Sequence, residues 1–138
     1  MMKKTIVVIL LFLSSCFVSK QQEKVSSCRE LIPETFYVRM ESNPDAVVLD
    51  TRILSEYAEE RIPRARFAGN HEKLNGLVDS LDRETPLFIY CEYEDRSNTV
   101  CNILTKEKKF ENVYKLEGGY EMWKKVNLPV DTTKRKVF

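Results

Sequence analysis

A cysteine at the end of an apolar run is the residue of this chain best placed to do chemistry. Cys91 directly follows residues 87–90 (LFIY), a run typical of a buried strand, and Ser97 is a predicted N-cap for the next helix. In such a turn, backbone N–H groups and the positive end of the helix surround the sulfur. Both favour the thiolate, the nucleophilic form of cysteine. The loop from Cys91 to Arg96 is therefore the candidate site.

The same loop carries three carboxylates. Glu92, Glu94 and Asp95 lie between Cys91 and Arg96. Negative charge beside a thiol raises its pKa and repels anionic substrates. We therefore expect anionic substrates to react slowly with this thiol.

The elements around this loop predict an α/β fold with a mainly parallel central sheet flanked by helices on both faces. Short apolar runs alternate with segments of helical spacing, which is the pattern of parallel strand–helix–strand units. In such sheets, functional side chains lie beyond the carboxyl ends of strands, where Cys91 and Asp50 both stand. The predicted strands are 46–49, 66–69, 87–90 and 113–116, and the predicted helices are 33–41, 55–60, 72–81, 97–109 and one around Trp123.

Length and charge restrict the class of protein. The 138 residues suit one domain, and 22 basic side chains against 21 acidic ones argue against a nucleic-acid binder. His71 is the only histidine, and no pair of cysteines has metal-ligand spacing, so neither a metal nor another cofactor is expected.

The N-terminus has the features of a bacterial lipoprotein signal. Two lysines precede the apolar run 6–13 (IVVILLFL), which is too short to span a membrane, and Leu13-Ser14-Ser15-Cys16 resembles a lipobox. We expect residues 1–16 to be the signal, 17–28 a tether, 29–131 the domain and 132–138 a tail. Cys16 would then carry lipid and anchor the protein in a bacterial cell envelope, facing the periplasm or the exterior. The alternative is ordinary cleavage nearby, with Cys16 lost.

Four groups of residues carry motifs along the predicted domain. They are Asp50-Thr51-Arg52; Glu56-Tyr57 with Ile62-Pro63 and Ala65; Tyr90-Cys91 through Arg96-Ser97; and Leu116-Glu117-Gly118-Gly119 with Trp123 and Leu128-Pro129-Val130. In this order they resemble the rhodanese family of single-domain sulfurtransferases, over about residues 29–130. The resemblance implies a rhodanese-like fold and a sulfurtransferase or persulfide carrier.

The resemblance also implies a role for each site residue. Cys91 would bear the persulfide, Arg96 would close the loop and offer positive charge to an anionic donor, and Asp50 would hydrogen-bond to the loop and brace it. Arg52 and Glu56 are interpreted as structural. The rest of the loop, with amides that would cradle the sulfur and with the first residue of the next helix, comprises Glu92, Tyr93, Glu94, Asp95 and Ser97.

The implied partners are a small sulfur donor and an acceptor that is a thiol, a cyanide-like nucleophile or a protein. Because of the three loop carboxylates, we expect slow or absent turnover of thiosulfate, with another donor preferred. Phosphatases and arsenate reductases that share this fold use one more residue between cysteine and arginine, which widens the cradle to phosphate size. The shorter spacing from Cys91 to Arg96 fits a single sulfur better.

Some positions depart from the family pattern. Glu94 stands where glycine is usual, so a left-handed backbone there would cost about 1 kcal/mol or more. Arg61 and Arg64 replace the usual histidine and glycine around Ile62-Pro63, and either could fold over the mouth of the loop to offset its acidity.

Two other functions are open at this point. The first is a binding module that has lost turnover and recognises a protein partner through the acidic loop. The second is a thiol redox protein that pairs Cys91 with Cys101 or Cys28. We expect Cys101 to be a buried small side chain rather than a resolving thiol, and Cys28 to be a free surface thiol.

Overall fold

The computed structural model describes residues 26–136. Strands and helices alternate along this part of the chain, as the sequence predicts. The strands are β1 (Cys28–Leu31), β2 (Val47–Asp50), β3 (Ala65–Phe67), β4 (Leu87–Tyr90) and β5 (Val113–Leu116). The helices are α1 (Pro33–Glu41), α2 (Leu54–Glu59), α3 (His71–Val78), α4 (Asp95–Asn102), which a π-helical turn (Ile103–Glu107) continues, and α5 (Gly119–Lys125).

The five strands form one parallel sheet in the order β1-β5-β4-β2-β3. Asp50 and Tyr90 are paired in register, so β2 and β4 end at the same level. Cys91 follows at that edge in the middle of the sheet. This arrangement confirms the predicted fold class, and it places the loop at the carboxyl ends of the strands.

Helices cover both faces of the sheet because neighbouring residues of a strand point to opposite faces. Phe88 joins a cluster with Phe36 of α1, Tyr57 of α2 and Trp123 of α5. Ile89, the next residue, joins a second cluster, formed with Leu74 and Val78 of α3 and Val100 and Leu104 of the α4 segment. Burial of each large side chain stabilises the fold by about 1.5–3 kcal/mol, so the central strand β4 is held from both sides.

Several element boundaries differ from prediction. The edge strand β1 was not predicted, because only its ends are partly buried and its sequence (CREL) has no apolar run. Ser97 is not the N-cap: α4 begins two residues earlier, at Asp95, and Ser97 is buried in its first turn, where its hydroxyl donates to the Glu94 carbonyl at 2.7 Å.

Cys28 and Cys101 form a disulfide that joins β1 to α4. The prediction that Cys28 is a free surface thiol is therefore wrong, whereas Cys101 is buried as expected, with 5% of its surface exposed. The pairing could not be recognised from the sequence, because 73 residues separate the two cysteines. The two cysteines meet because β1 pairs with β5 in the sheet and α4 packs over this part of it.

The predicted signal segment and Cys16 lie outside the described residues. Within residues 26–136, no helix is long and apolar enough to cross a membrane.

Candidate active site

Cys91 lies at the carboxyl end of β4 and is buried, with 7% of the residue's surface exposed. It is the free cysteine of the described part of the chain. Cys91 and residues 92–96 line an opening of about 320 Å³, together with Arg52, Ile53 and Glu56 from the turn after β2 and from α2. The structure therefore brings the predicted nucleophile, its loop and Arg96 together around one cavity.

Two backbone hydrogen bonds and the close approach of Gly119 hold this loop against α5. The Cys91 and Glu92 carbonyls accept hydrogen bonds from the backbone N–H groups of Tyr120 (2.8 Å) and Glu121 (3.2 Å). A Cβ atom on Gly119 would lie 2.5 Å from the Glu92 carbonyl oxygen and 2.0 Å from that of Tyr93, and Gly119 has a φ of +66°. Only glycine allows both this backbone conformation and this approach.

The docking leaves the loop amides available. Since the carbonyls of Cys91 and Glu92 face α5, the trans peptide geometry directs the following N–H groups away from that helix. Within residues 26–136, no backbone N–H of residues 92–96 donates to a backbone or side-chain acceptor. These amides and the start of α4 can stabilise a negative charge on the sulfur.

Asp50 reaches the loop through Arg52 rather than by a hydrogen bond of its own. Its carboxylate is fully buried and accepts from Arg52 Nε (3.1 Å) and Nη2 (2.8 Å) and from the Tyr90 hydroxyl (2.5 Å). Arg52 Nη1 then donates to Glu92 Oε2 at 3.2 Å, and Nη2 donates to the Glu60 carbonyl at 2.6 Å. Arg52 does not pair with Glu56, which caps α2 at the Ile53 N–H.

This network fixes the protonation states of Arg52 and Tyr90. Burial opposes ionisation of Arg52, but the hydrogen bonds and the charge of Asp50 outweigh it and raise the pKa of the guanidinium above its ordinary value. Burial, and then the charge of Asp50, raise the pKa of Tyr90 well above its usual range. Arg52 therefore remains a cation and Tyr90 a hydrogen-bond donor.

Arg52 also forms an ion pair with one of the three loop carboxylates, that of Glu92. Partial burial, followed by a hydrogen bond with Glu121, raises the pKa of Glu92, and Arg52 offsets part of that rise. Glu94 is held by the Gly118 N–H, 2.9 Å from Oε1, and its Oε2 lies 4.0 Å from Lys115 Nζ. Glu94 has a φ of −139°, so no left-handed backbone is needed there.

Arg61 and Arg64 do not fold over the mouth. Arg61 is fully buried and holds the C-terminal segment through Asp131 (2.7 Å) and the Thr133 carbonyl (2.7 Å). Arg64 adopts the left-handed backbone, with a φ of 68°, and its guanidinium donates to four carbonyls at the end of α1 and in the turn before β2. Of these two positions where the family usually has glycine, Arg64 is left-handed and Glu94 is not.

Tyr93, Asp95 and Arg96 are exposed on the rim of the opening. The Asp95 and Arg96 side chains form no hydrogen bond or ion pair with any other residue between 26 and 136. Asp95 therefore carries the loop's uncompensated negative charge, and Arg96 is a cation free to meet an anion. No group of metal-ligating side chains occurs among the described residues.

The sequence missed how much Arg52, Gly119 and Tyr90 contribute to the site. Arg52 and Gly119 stood in recognised motifs, but their contacts with Glu92 depend on tertiary placement. Tyr90 also stood in a recognised motif, but sequence reasoning assigned no role to its hydroxyl, which also accepts from the Ile62 N–H at 3.1 Å.

Fold and site together define an α/β domain with one free cysteine in a short strand-to-helix loop. Residues 33–126 match the rhodanese-like domain family. The chain therefore belongs to the rhodanese-like domain family.

Named relatives agree with this assignment. The chain is 28% identical over 102 residues to the thiosulfate sulfurtransferase GlpE of Glaesserella parasuis, covering 74% of this chain and 92% of that protein. It is 36% identical over 80 residues to the protein of that name from Coxiella burnetii, covering 58% of this chain and 73% of the relative. These relatives support a rhodanese-type sulfurtransferase at the level of the family.

Solved structures share the fold. The Alr3790 protein from Anabaena sp. superposes with a TM-score of 0.65 at 24% identity, covering 73% of this chain and 81% of that one. A thiosulfate sulfurtransferase from Pseudomonas aeruginosa also gives 0.65, at 20% identity, covering 78% of this chain and 21% of that one.

Replacement of Gly119 by alanine should detach the loop from α5. A left-handed alanine costs about 1–2 kcal/mol, and its Cβ overlaps two loop carbonyls, so we expect the free energy of unfolding to fall by about 2 kcal/mol or more. Urea unfolding measures this loss, and hydrogen exchange at the Tyr120 and Glu121 amides should become faster.

Gly76→Ala is the matched control. Gly76 is exposed in α3 with nothing within 4 Å of an added Cβ, so alanine there should raise stability by up to about 1 kcal/mol. Equal effects of the two substitutions would contradict the docking role of Gly119.

Proposed function

We propose that the protein is a sulfurtransferase or persulfide carrier that moves a sulfane sulfur through Cys91. The Cys91 thiolate attacks the outer sulfur of the donor, a new S–S bond forms, and the donor's S–S bond breaks. With thiosulfate, the electron pair of that bond leaves with sulfite. A thiophilic acceptor such as cyanide then takes the outer sulfur as thiocyanate and restores the thiolate.

The observation that carries this proposal is a buried, unpaired thiol beneath a loop whose amides have no acceptor in the described part of the chain. Those amides would stabilise both the thiolate and the persulfide anion. The docking of the loop on Gly119 and the Asp50–Arg52 pair hold it in this form without a ligand. Asp50 thus acts as a positioning residue, while Arg96 offers charge to an anionic donor.

The disulfide favours a sulfurtransferase or persulfide carrier over a dithiol redox protein. Because Cys28 and Cys101 are bonded to each other, neither is free to resolve an oxidised Cys91. A persulfide on Cys91 would then persist until an external acceptor arrives.

Thiosulfate is the donor in the names of the relatives, but the loop charges oppose it here. Arg52 offsets Glu92, and the Gly118 N–H holds Glu94, whereas Asp95 has no partner within residues 26–136. A dianionic donor would meet this carboxylate on the rim. We therefore propose that thiosulfate reacts slowly and that another donor is preferred.

We also propose that Cys16 is the lipid-bearing residue and that the domain faces the periplasm or the exterior of a bacterial cell. The lipobox-like segment Leu13-Ser14-Ser15-Cys16 supports this placement. The Cys28–Cys101 disulfide supports it independently, since disulfides persist in oxidising compartments and are rare in the cytosol.

Purified protein exposed to sulfur donors should gain the mass of one sulfur atom at Cys91. Mass spectrometry of the intact protein and of its Cys91 peptide, without reductant, measures the gain, and cyanide should remove it. Cys91→Ser should gain nothing. If no donor loads Cys91, the protein is instead a binding module that recognises a partner through the acidic loop.

Asp95→Asn should accelerate loading from thiosulfate. Removing one uncompensated charge near a dianion is expected to raise the rate roughly three- to tenfold at low ionic strength, and salt should shrink the gain by screening. Stopped-flow or quenched-flow loading of Cys91 measures the rate. Unchanged rates, or fast thiosulfate turnover by the unmodified protein, would contradict the role assigned to Asp95.

The full chain made in a bacterial host should fractionate with membranes and carry lipid on Cys16, because the diacylated cysteine anchors it. Cys16→Ala should abolish both, while Cys28→Ala should remain in the membrane fraction. Mass spectrometry of the N-terminal peptide provides the readout. A mature N-terminus that lacks Cys16 would overturn the anchor.

A further inference from the structure

A buried lysine lies in the sheet close to the cysteine loop. Lys115 belongs to β5, whose other residues are Val113, Tyr114 and Leu116, and only 8% of its surface is exposed. An ammonium group in such a position is costly unless it is paired. The partners of Lys115 therefore indicate what this side chain does.

The register of the strands places Lys115 on the face of the sheet that α4 covers. Lys115 is paired with Ile89 of β4, two residues before Cys91, and with Glu30 of the edge strand β1. Residues paired in this way direct their side chains to the same face of a sheet. Ile89 packs in the cluster that includes α4 residues, so Lys115 faces the helix that begins in the cysteine loop.

Three groups from three parts of the chain surround the Lys115 ammonium. Nζ donates to Asn98 Oδ1 of α4 at 2.8 Å and forms an ion pair with Glu30 of β1. It also lies 4.0 Å from Oε2 of Glu94, in the loop itself. The Asn98 N–H in turn donates to the Glu94 carbonyl at 3.1 Å. One ammonium group thus links the edge strand, the helix and the loop.

Glu30 and Glu94 share the positive charge of Lys115. Their side chains are 44% and 41% exposed, so burial fixes neither of them, and the ion pair with Glu30 is the closer of the two. A cation shared between two carboxylates offsets each of them only in part. The charge that Glu94 presents near Cys91 therefore depends on how strongly Glu30 holds Lys115.

We propose that Lys115 is a positioning residue that sets the reactivity of Cys91 toward anionic sulfur donors by offsetting the charge of Glu94, and that Glu30 limits this effect by competing for the same ammonium group. The inference rests on the proposed function, for which it names a residue that determines donor specificity. Lys115 does not line the Cys91 opening, so it acts through Glu94 rather than by contact with the donor.

Alkylation of Cys91 measures the charge of the loop without any sulfur donor. Iodoacetate is an anion and iodoacetamide is a neutral reagent of similar size, and both react with the thiolate. The ratio of their rates therefore cancels the fraction of thiolate and reports the local charge. Lys115→Met should lower this ratio about threefold at low ionic strength, and salt should shrink the effect. Mass spectrometry of the Cys91 peptide from the full-length protein measures both rates.

Lys108→Met is the matched control. Lys108 also forms an ion pair, with Asp79, but it follows the π-helical turn at the opposite end of the α4 segment from the loop. This substitution should leave the ratio of alkylation rates unchanged. Equal effects of the two lysine variants, or an unchanged ratio in Lys115→Met, would overturn the role of Lys115.

Glu30→Gln tests the competition between the two carboxylates. It should raise the ratio about twofold in the otherwise unmodified protein, because Lys115 then offsets Glu94 more fully. In the Lys115→Met protein the same substitution should have no effect, since Glu30 acts through Lys115. A rise of the same size in both proteins would mean that Glu30 repels the reagent directly, and the competition would be refuted.

Loading from thiosulfate separates this inference from the proposed function. Lys115→Met should slow the loading of Cys91 roughly three- to tenfold, because this donor carries two negative charges. A fall in the alkylation ratio without slower loading would remove the role in donor specificity. If no donor loads Cys91, the proposed function fails, whereas the alkylation ratios still decide whether Lys115 sets the charge of the loop.

Discussion

The buried ion pair of Asp50 and Arg52 is the interaction on which the rest of the site depends. It joins the end of β2 to the carbonyl that follows α2, to Glu92 of the cysteine loop and, through a guanidinium 4.0 Å from the ring centre, to Tyr120 of α5. Loss of one partner from such a pair typically costs about 3–5 kcal/mol, because the other charge is left buried and unpaired. The pair therefore links the architecture of the domain directly to the shape of its loop.

Hydrogen bonds hold the loop through its carbonyl groups, and they determine which of its polar groups are paired. Two carbonyls and the Glu94 side chain accept hydrogen bonds from N–H groups at the start of α5, so these negatively polarised groups of the loop are paired. The backbone amides of residues 92–96 have no acceptor in the described chain. Arg52 and the Gly118 N–H thus offset the negative charges of two loop carboxylates, Glu92 and Glu94. The remaining unpaired negative charge of the loop lies on Asp95.

Sequence reasoning succeeded where local pattern and tertiary structure agree. The runs at 87–90 and 113–116 are buried on both faces of the sheet, so composition alone marked them as strands, and the position of Cys91 followed. It failed for β1, because an edge strand with charged residues has no apolar signature. It also failed for the pairing of Cys28 with Cys101, which requires the order of strands in the sheet.

The departures from the family pattern show a second limit. A glycine replaced by Glu94 suggested a strained loop, yet the backbone there is not left-handed. Arg64, another position where the family usually has glycine, is left-handed, and four carbonyl acceptors there offset the conformational cost. Which position bears strain depends on the surrounding hydrogen bonds, and a single sequence does not display them.

The Cys28–Cys101 disulfide also determines how the domain resists mechanical force. β1 is an edge strand held by one neighbour, β5, and the chain that precedes it enters at this strand. A pull on that entering segment would peel β1 away one hydrogen bond at a time. The disulfide instead transmits this force to α4, which is packed over the sheet. A force on the N-terminal side of the domain is therefore resisted without separation of the edge strand.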